Sequence, residues 1–146
     1  MMKELTYKFA ANPAEMDEIR QVWRKVFVAE QGIDEALTFA GAEDGQALHA
    51  AVRDGAAVIG TARVVFPAAA TAKIERMAVL ADYRRRGVGR GIIAFLSGEL
   101  AHRGIKRVYL HAQYAATGFY RDCGFRETGR PFYEAGIRHV RMEMTL

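Results

Sequence analysis

Apolar residues recur along the chain with two periods, and these periods divide it into elements. Met16, Ile19, Trp23, Val26 and Phe27 fall three and four apart, the spacing of one buried helical stripe. Asn12-Pro13 marks its start, because Asn caps orphan amides and Pro fits a first turn. The stripe runs through Glu30 and ends at Gln31-Gly32. A second stripe places Val88, Ile92, Leu96 and Leu100 four apart with Ile93 beside them. Gly104 closes it, with His102 and Arg103 in the last turn where positive charge suits the helix dipole. Residues 115–122 read as a third, short helix ended by Gly124.

Between the helices lie strand-like runs. Residues 5–9 form one. Residues 47–53 and 57–66 flank Asp54-Gly55, a strong hairpin signal. Pro67 closes the second run, and the alanine-rich stretch after it reads as a loop. Residues 73–79 alternate, with Glu75, Met77 and Val79 on one face and Ile74, Arg76 and Ala78 on the other. Residues 107–111 are apolar on both faces, as a central strand should be. Strands at 125–128 and 137–145 follow, joined by a loop containing Gly and Pro. Residues 33–46 show no clear period and read as a loop or a poor helix. The order predicts an α/β fold with a mixed sheet and helices on both faces, its strand–helix–strand unit parallel and right-handed.

Length adds that the 146 residues make one domain, 1–146. No apolar run approaches the ~18–20 residues of a membrane span, and no signal-peptide stretch follows the N-terminus. The single cysteine, Cys123, excludes an internal disulfide and a cysteine-rich zinc site, so a reducing, cytoplasmic compartment is expected. His49, His102, His111 and His139 lack metal-ligand spacing, and no metal is expected. The formal charge is +4, and Arg84, Arg85, Arg86 and Arg90 cluster, which points to an anionic partner.

That cluster sits in Tyr83-Arg84-Arg85-Arg86-Gly87-Val88-Gly89, between a strand and a helix. Amides at a helix N-terminus are unpaired and carry partial positive charge. Glycines let a phosphate approach them, and arginines at the rim add charge. The loop therefore reads as a pyrophosphate cradle or, more plainly, as a solvated basic turn. A dinucleotide fold is disfavoured, because its glycine loop follows the first strand. A nucleoside-triphosphate loop is disfavoured because no Gly-Lys-Ser/Thr occurs.

Three segments in order carry a resemblance: Glu75-Arg76-Met77-Ala78-Val79, the arginine–glycine loop, and Gln113-x-x-Ala116-x-x-Phe119-Tyr120-Arg121-Asp122-Cys123-Gly124-Phe125. Together they resemble the GNAT superfamily of acetyl-CoA-dependent N-acetyltransferases. The match is close from Lys73 to Phe125. Residues 26–32 and 136–139 look like a small bacterial branch of largely unassigned substrate. The resemblance implies a mostly antiparallel sheet splayed between its fourth and fifth strands, with acetyl-CoA as cosubstrate. It places the backbone of Met77, Ala78 and Val79 along the pantetheine arm. It wraps Arg84, Arg85, Arg86, Gly87, Val88, Gly89 and Arg90 around the pyrophosphate. Gln113 stands where many relatives carry Asn, and Phe119 and Tyr120 lie in the cofactor motif.

Tyr120 matches the family tyrosine that faces the thioester sulfur, where it would act as general acid; the alternative is a core aromatic beside Phe119 and Phe125. Glu75 is the candidate general base. Histone-modifying relatives carry theirs two residues earlier, where this chain has Lys73. Glu75 shares the face of Met77 and Val79 by alternation, and apolar neighbours would make its carboxylate hold a proton more readily, which suits base work. The alternative is a structural partner for a nearby arginine. Cys123 has no partnering base and reads as a helix-end packing residue.

The reading is an N-acetyltransferase that moves acetyl from acetyl-CoA to a primary amine of a small molecule or protein, without a covalent enzyme intermediate. The alternative is a CoA-binding module with little or no turnover. A nucleic-acid binder is disfavoured, since no basic stripe with exposed aromatics lies outside the loop. No membrane partner is expected; a homodimer is compatible with the resemblance. Glu30, Asp34, Glu35, Glu43, Asp44 and Glu134 fall in the segments expected to build the acceptor pocket, a hint toward a cationic acceptor. His111 follows the fifth strand and reads first as a satisfied strand-end histidine, with a substrate contact as the alternative; His139 is similarly ambiguous.

Overall fold

The structure is a computed structural model that describes residues 4–41 and 45–146. Seven strands form one sheet in the order β1-β2-β3-β4-β5-β7-β6. They are β1 (Thr6–Phe9), β2 (Leu48–Asp54), β3 (Ala57–Ala68), β4 (Thr71–Val79), β5 (Arg107–Gln113), β6 (Arg126–Glu134) and β7 (Ile137–Thr145). Every neighbouring pair is antiparallel except β4 and β5, which are parallel. The helix at Val88–His102 joins that parallel pair, as a parallel connection requires.

Helix α1 (Pro13–Trp23) starts as its sequence dictates. Asn12 Oδ1 accepts from Glu15 N–H at 2.9 Å, and Glu15 Oε1 accepts from Ala11 N–H at 3.0 Å. The helix continues to Glu30 as predicted, but residues Arg24–Glu30 widen into a π-helical segment. A short helix α2 (Glu35–Phe39) follows, capped by Asp34, inside the stretch without a clear period. Helices α3 (Val88–His102) and α4 (Thr117–Asp122) match the second and third predictions.

Each sheet face carries its own core. On one face Val88, Ile92, Leu96 and Leu100 of α3 pack on Val52, Val64, Ile74, Val108 and Met142. On the other, Ile19, Val22 and Trp23 of α1 with Val26 and Phe27 cover Ala51, Val58 and Ala78. The four-residue spacing read from the sequence is thus the spacing of the buried side of α3.

Several strand boundaries differ from the sequence reading. β3 runs past Pro67 to Ala68, and β4 begins at Thr71, so the alanine stretch is only a tight turn with Ala70 at φ 53°. β6 extends to Glu134 where a loop was expected. Gly129, at φ 76°, and Pro131 are absorbed by an irregularity between Thr128 and Phe132. An edge strand tolerates this, because proline there removes no needed ladder bond. Ala135 and Gly136, at φ 52° and 75°, turn β6 into β7. Among the described residues no helix is long and apolar enough to cross a membrane.

Candidate active site

The site opens where the parallel pair separates. β4 and β5 pair from Thr71↔Arg107 to Ile74↔Leu110, and no further. Beyond that point residues 75–79 keep only their β3 partners, and their β5-facing backbone is left without a strand. Arg76 makes the second departure. It holds φ 50°, and between Thr61↔Ala78 and Arg63↔Glu75 β4 has one residue more than β3. This is a β-bulge.

The bulge corrects the alternation read from the sequence. Ala72 and Ile74 lie on the α3 face before it, and Met77 and Val79 pack on that face after it. Glu75 instead pairs with Arg63, and Ala78 packs with Ile19 and Trp23 on the α1 face. Glu75 therefore does not share a face with Met77 and Val79. An extra residue shifts a period of two by one, which no alternation count can see.

At the end of β4 lies a groove of about 480 Å³, lined by Met77, Ala78, Val79, Tyr83, Arg84, Arg85, Gly87, Val88, Gly89, Arg90, Ala116, Phe119 and Tyr120. Gly87 stands before α3 at φ 80° with no side-chain cap, and the first helical bond runs from Gly91 N–H to Gly87 O at 2.9 Å. The amides of 88–90 therefore have no partner within the helix. Tyr83 Oη donates to Asp54 Oδ2 at 2.5 Å and fastens the loop to the β2–β3 hairpin. A Cβ at Gly89 would meet Phe119 Cζ at 2.9 Å and Met77 Cε at 3.3 Å, so glycine there keeps the groove open. Not every arginine lines it. Arg86 stands over the Tyr83 ring, 5.8 Å from its centroid. Arg84 lines the groove but is engaged: Nε donates to Val79 O at 2.9 Å, and its two Nη atoms meet Glu30 at 3.0 and 2.9 Å.

A second cavity of about 320 Å³ lies on the α1 side of the splay. Phe27, Ile33, Leu37 and Thr38 wall it from above, and Lys73, Glu75, Arg76, His111, Gln113, Glu134 and His139 supply its polar groups. Met77 and Tyr120 line both spaces and form their junction. Tyr120 is half-buried against Phe119 and Phe125, and among the described residues its hydroxyl has no hydrogen-bond partner. Burial pushes its phenol up to about 12, with nearby Cys123 acting in the same direction. It keeps its proton across neutral pH.

Glu75 does not sit among apolar neighbours. Arg63 Nη1 donates to Oε1 at 3.0 Å, and Lys73 Nζ lies 3.3 Å from Oε2. Gln113 lines the second cavity rather than the groove, and its Nε2 donates to Gln31 Oε1 at 2.8 Å. Of the acids expected near the acceptor, Glu30 is paired with Arg84, Glu35 with Arg24, and Asp34 caps α2. Of the described members of that set, Glu134 lines the cavity. Glu43 and Asp44 lie outside the described residues.

Glu134 is the acid of that set whose partners the sequence could not show. Its Oε1 is 3.1 Å from His111 Nδ1 and its Oε2 is 3.8 Å from His139 Nε2. The ring of Phe132 lies between the two imidazoles, edge-on to His111 and stacked on His139. The pair of His111 and Glu134 is 23 residues apart in the chain, and only β7 lying between β5 and β6 joins them. Among the described residues no group of three His, Cys, Asp or Glu side chains is placed to hold a metal.

The comparisons with known proteins agree with this architecture. Bacillus subtilis (strain 168) YyaT is 33% identical over 142 residues, 94% of each chain. The N-acetyltransferase YjcF of the same organism is 31% identical over 134 residues, 91% of this chain and 94% of its own. A crystal structure from Lactobacillus plantarum, described as an N-acetyltransferase, superposes with a TM-score of 0.92 at 27% identity, covering 99% of each chain. An aminoglycoside 6'-N-acetyltransferase crystallised with coenzyme A shares the fold, with a TM-score of 0.78 at 14% identity over 98% of this chain and 97% of that one. Residues 10–146 match the acetyltransferase (GNAT) domain family. With its splayed parallel pair, its glycine-opened helix end and these relatives, the chain belongs to the GNAT acetyltransferases.

Proposed function

We propose that this acetyltransferase moves an acetyl group from acetyl-CoA to a primary amine by direct attack, with no covalent enzyme intermediate. One observation carries the reading: a basic groove and a second cavity meet at Met77 and Tyr120. A donor and an acceptor entering from opposite sides would react there.

The groove suits the donor. The amides of 88–90 and the side chains of Arg85 and Arg90 offer charge to a pyrophosphate, with Gly87 and Gly89 giving it access. Arg84 contributes by holding the loop to Val79 and Glu30 rather than by presenting a free guanidinium. The β5-facing backbone of Met77, Ala78 and Val79, left without a strand, offers strand-like hydrogen bonds to the amides of a pantetheine arm, with Val79 O already taken by Arg84. Phe119 would cover the arm, and Gln113 would meet it only where it passes the second cavity, on giving up its bond to Gln31. Acetyl-CoA, once bound, supplies a thioester carbonyl to the junction.

Positioning is the main contribution, because two reactants held in register need no encounter. Amides near Met77–Val79 would oppose the negative charge that builds on the carbonyl oxygen. The Tyr120 hydroxyl donates toward the departing sulfur and retains its proton until then. The test is free-thiol release from acetyl-CoA with a panel of spermidine, phenethylamine and glycinamide. Thiol release that depends on an amine, with the acetylated amine recovered, supports transfer. Tight CoA binding with no transfer to any of them supports the binding module instead.

A further inference from the structure

Resting on the amine-transfer reading, we infer that His111 takes the proton from the attacking amine and that Glu134 positions it. The chemistry of the pair assigns the protons. A carboxylate only accepts, so the ring nitrogen 3.1 Å from Glu134, Nδ1, carries the hydrogen. In the neutral ring Nε2 is then the lone pair. Among the described residues that nitrogen has no hydrogen-bond partner, and His111 lines the cavity that ends at Tyr120. Phe132, edge-on at 5.0 Å between centroids, holds the ring in place.

The obvious carboxylate is poorly placed for the same task. Arg63 Nη1 and Lys73 Nζ already engage one oxygen each of Glu75. Among the described residues the ion-pair partners of Glu134 are His111 and His139. It can therefore stabilise an imidazolium as it forms, the orienting role of an acid behind a histidine base.

The step balances. His111 Nε2 takes one proton from the bound ammonium, which frees the lone pair. That pair forms the C–N bond and the carbonyl π pair moves to oxygen. The carbonyl re-forms, the C–S pair leaves on sulfur, and the Tyr120 hydroxyl protonates it. The N–H proton lost from the new amide nitrogen restores the phenol through solvent, and the imidazolium sheds its proton to solvent. An ammonium and a thioester have become an amide, a thiol and one released proton.

The charged groups facing His111 are Glu134 from the end of β6, His139 and Arg141 from β7, and Lys73 and Glu75 from β4. Arg141 is turned onto Tyr109 and Glu143, and Lys73 is held by Glu75, which leaves Glu134 as the close partner.

The test compares wild type, His111→Gln and Glu134→Gln, each first checked for CoA affinity by calorimetry. Turnover is measured with the best amine of the panel and with methoxyamine, which is already uncharged at neutral pH. His111→Gln should lower kcat on the protonated amine by about 100-fold, the lower range for a lost general base. CoA affinity should hold within about twofold, and the deficit on methoxyamine should shrink to under about tenfold. Glu134→Gln should show the same selectivity with a smaller loss, and Glu134→Asp should recover part of it. Equal losses on both amines, or wild-type turnover in His111→Gln, overturns the assignment. No transfer by wild type to any amine sinks the transfer reading, and this assignment with it.

Discussion

His49 gives the sharpest test of how this structure balances charge. It sits on β2, buried under Trp23, with ring centroids 5.7 Å apart and Nδ1 without a partner among the described residues. Burial, then the charges of Arg63, Arg76 and Arg20, lower it from its ordinary 6.5 to about 4. The unfolded chain therefore binds a proton that the folded one refuses. Between those two values the slope of stability with pH is positive. His49 costs nothing above about pH 6.5, and its penalty grows as pH falls toward 4. At about pH 5 the unfolded state gains roughly 30-fold, about 2 kcal/mol, and at about pH 4 about 3 kcal/mol. Urea unfolding of wild type and His49→Gln at about pH 7 and about pH 5 reads the difference. Gln cannot titrate, so the gap between the two proteins should move by about 2 kcal/mol in favour of the variant as pH falls. Carboxylates that protonate in the same range act on both proteins and cancel. Parallel losses would refute the idea that this imidazole stays neutral in the fold.

Three further outcomes are expected. Tyr120→Phe should lower kcat by about 10² or more with CoA affinity within about twofold, by stopped-flow and calorimetry, and wild type should show no fall in rate from phenol ionisation below about pH 10. Gly89→Val should weaken CoA binding at least about tenfold, because its side chain must displace Phe119 and Met77 in the groove, whereas Gly98→Ala, in open space on the same helix, should bind normally. Leu96→Ala should cost about 2–5 kcal/mol in urea unfolding, as a fully buried side chain of α3 leaves a cavity over the sheet.

Helices and turns were legible because their signals are local. The stripe of α3, the Asn12-Pro13 start and the Asp54-Gly55 hairpin each lie within a few residues of chain. The basic groove was legible too, since its glycines and arginines are consecutive. What escaped depends on partners far away. The length of β6 rests on pairing with β7, which outweighs the turn signals of Gly129 and Pro131. The surroundings of Glu75 rest on Arg63, twelve residues earlier and across the hairpin. Arg84 read as a phosphate ligand because Glu30, 54 residues away, cannot be seen beside it. His111 read as a strand-end residue or a substrate contact, with no sign of Glu134, 23 residues away, beside it.

The bulge at Arg76 has a consequence for how this strand can change. Arg76 spans it with φ 50°, its guanidinium 4.9 Å from the Trp23 ring centroid. Replacing it with glycine would remove a cation–π contact yet ease the backbone, so the two effects oppose each other. Deleting it is a different kind of event. With the extra residue gone, one half of β4 must rotate by half a period, and either Lys73 and Glu75 enter the α3 core or Met77 and Val79 leave it. The strand thus has a fixed residue count but an adjustable composition. Variation at this junction is open to substitution and closed to insertion or deletion.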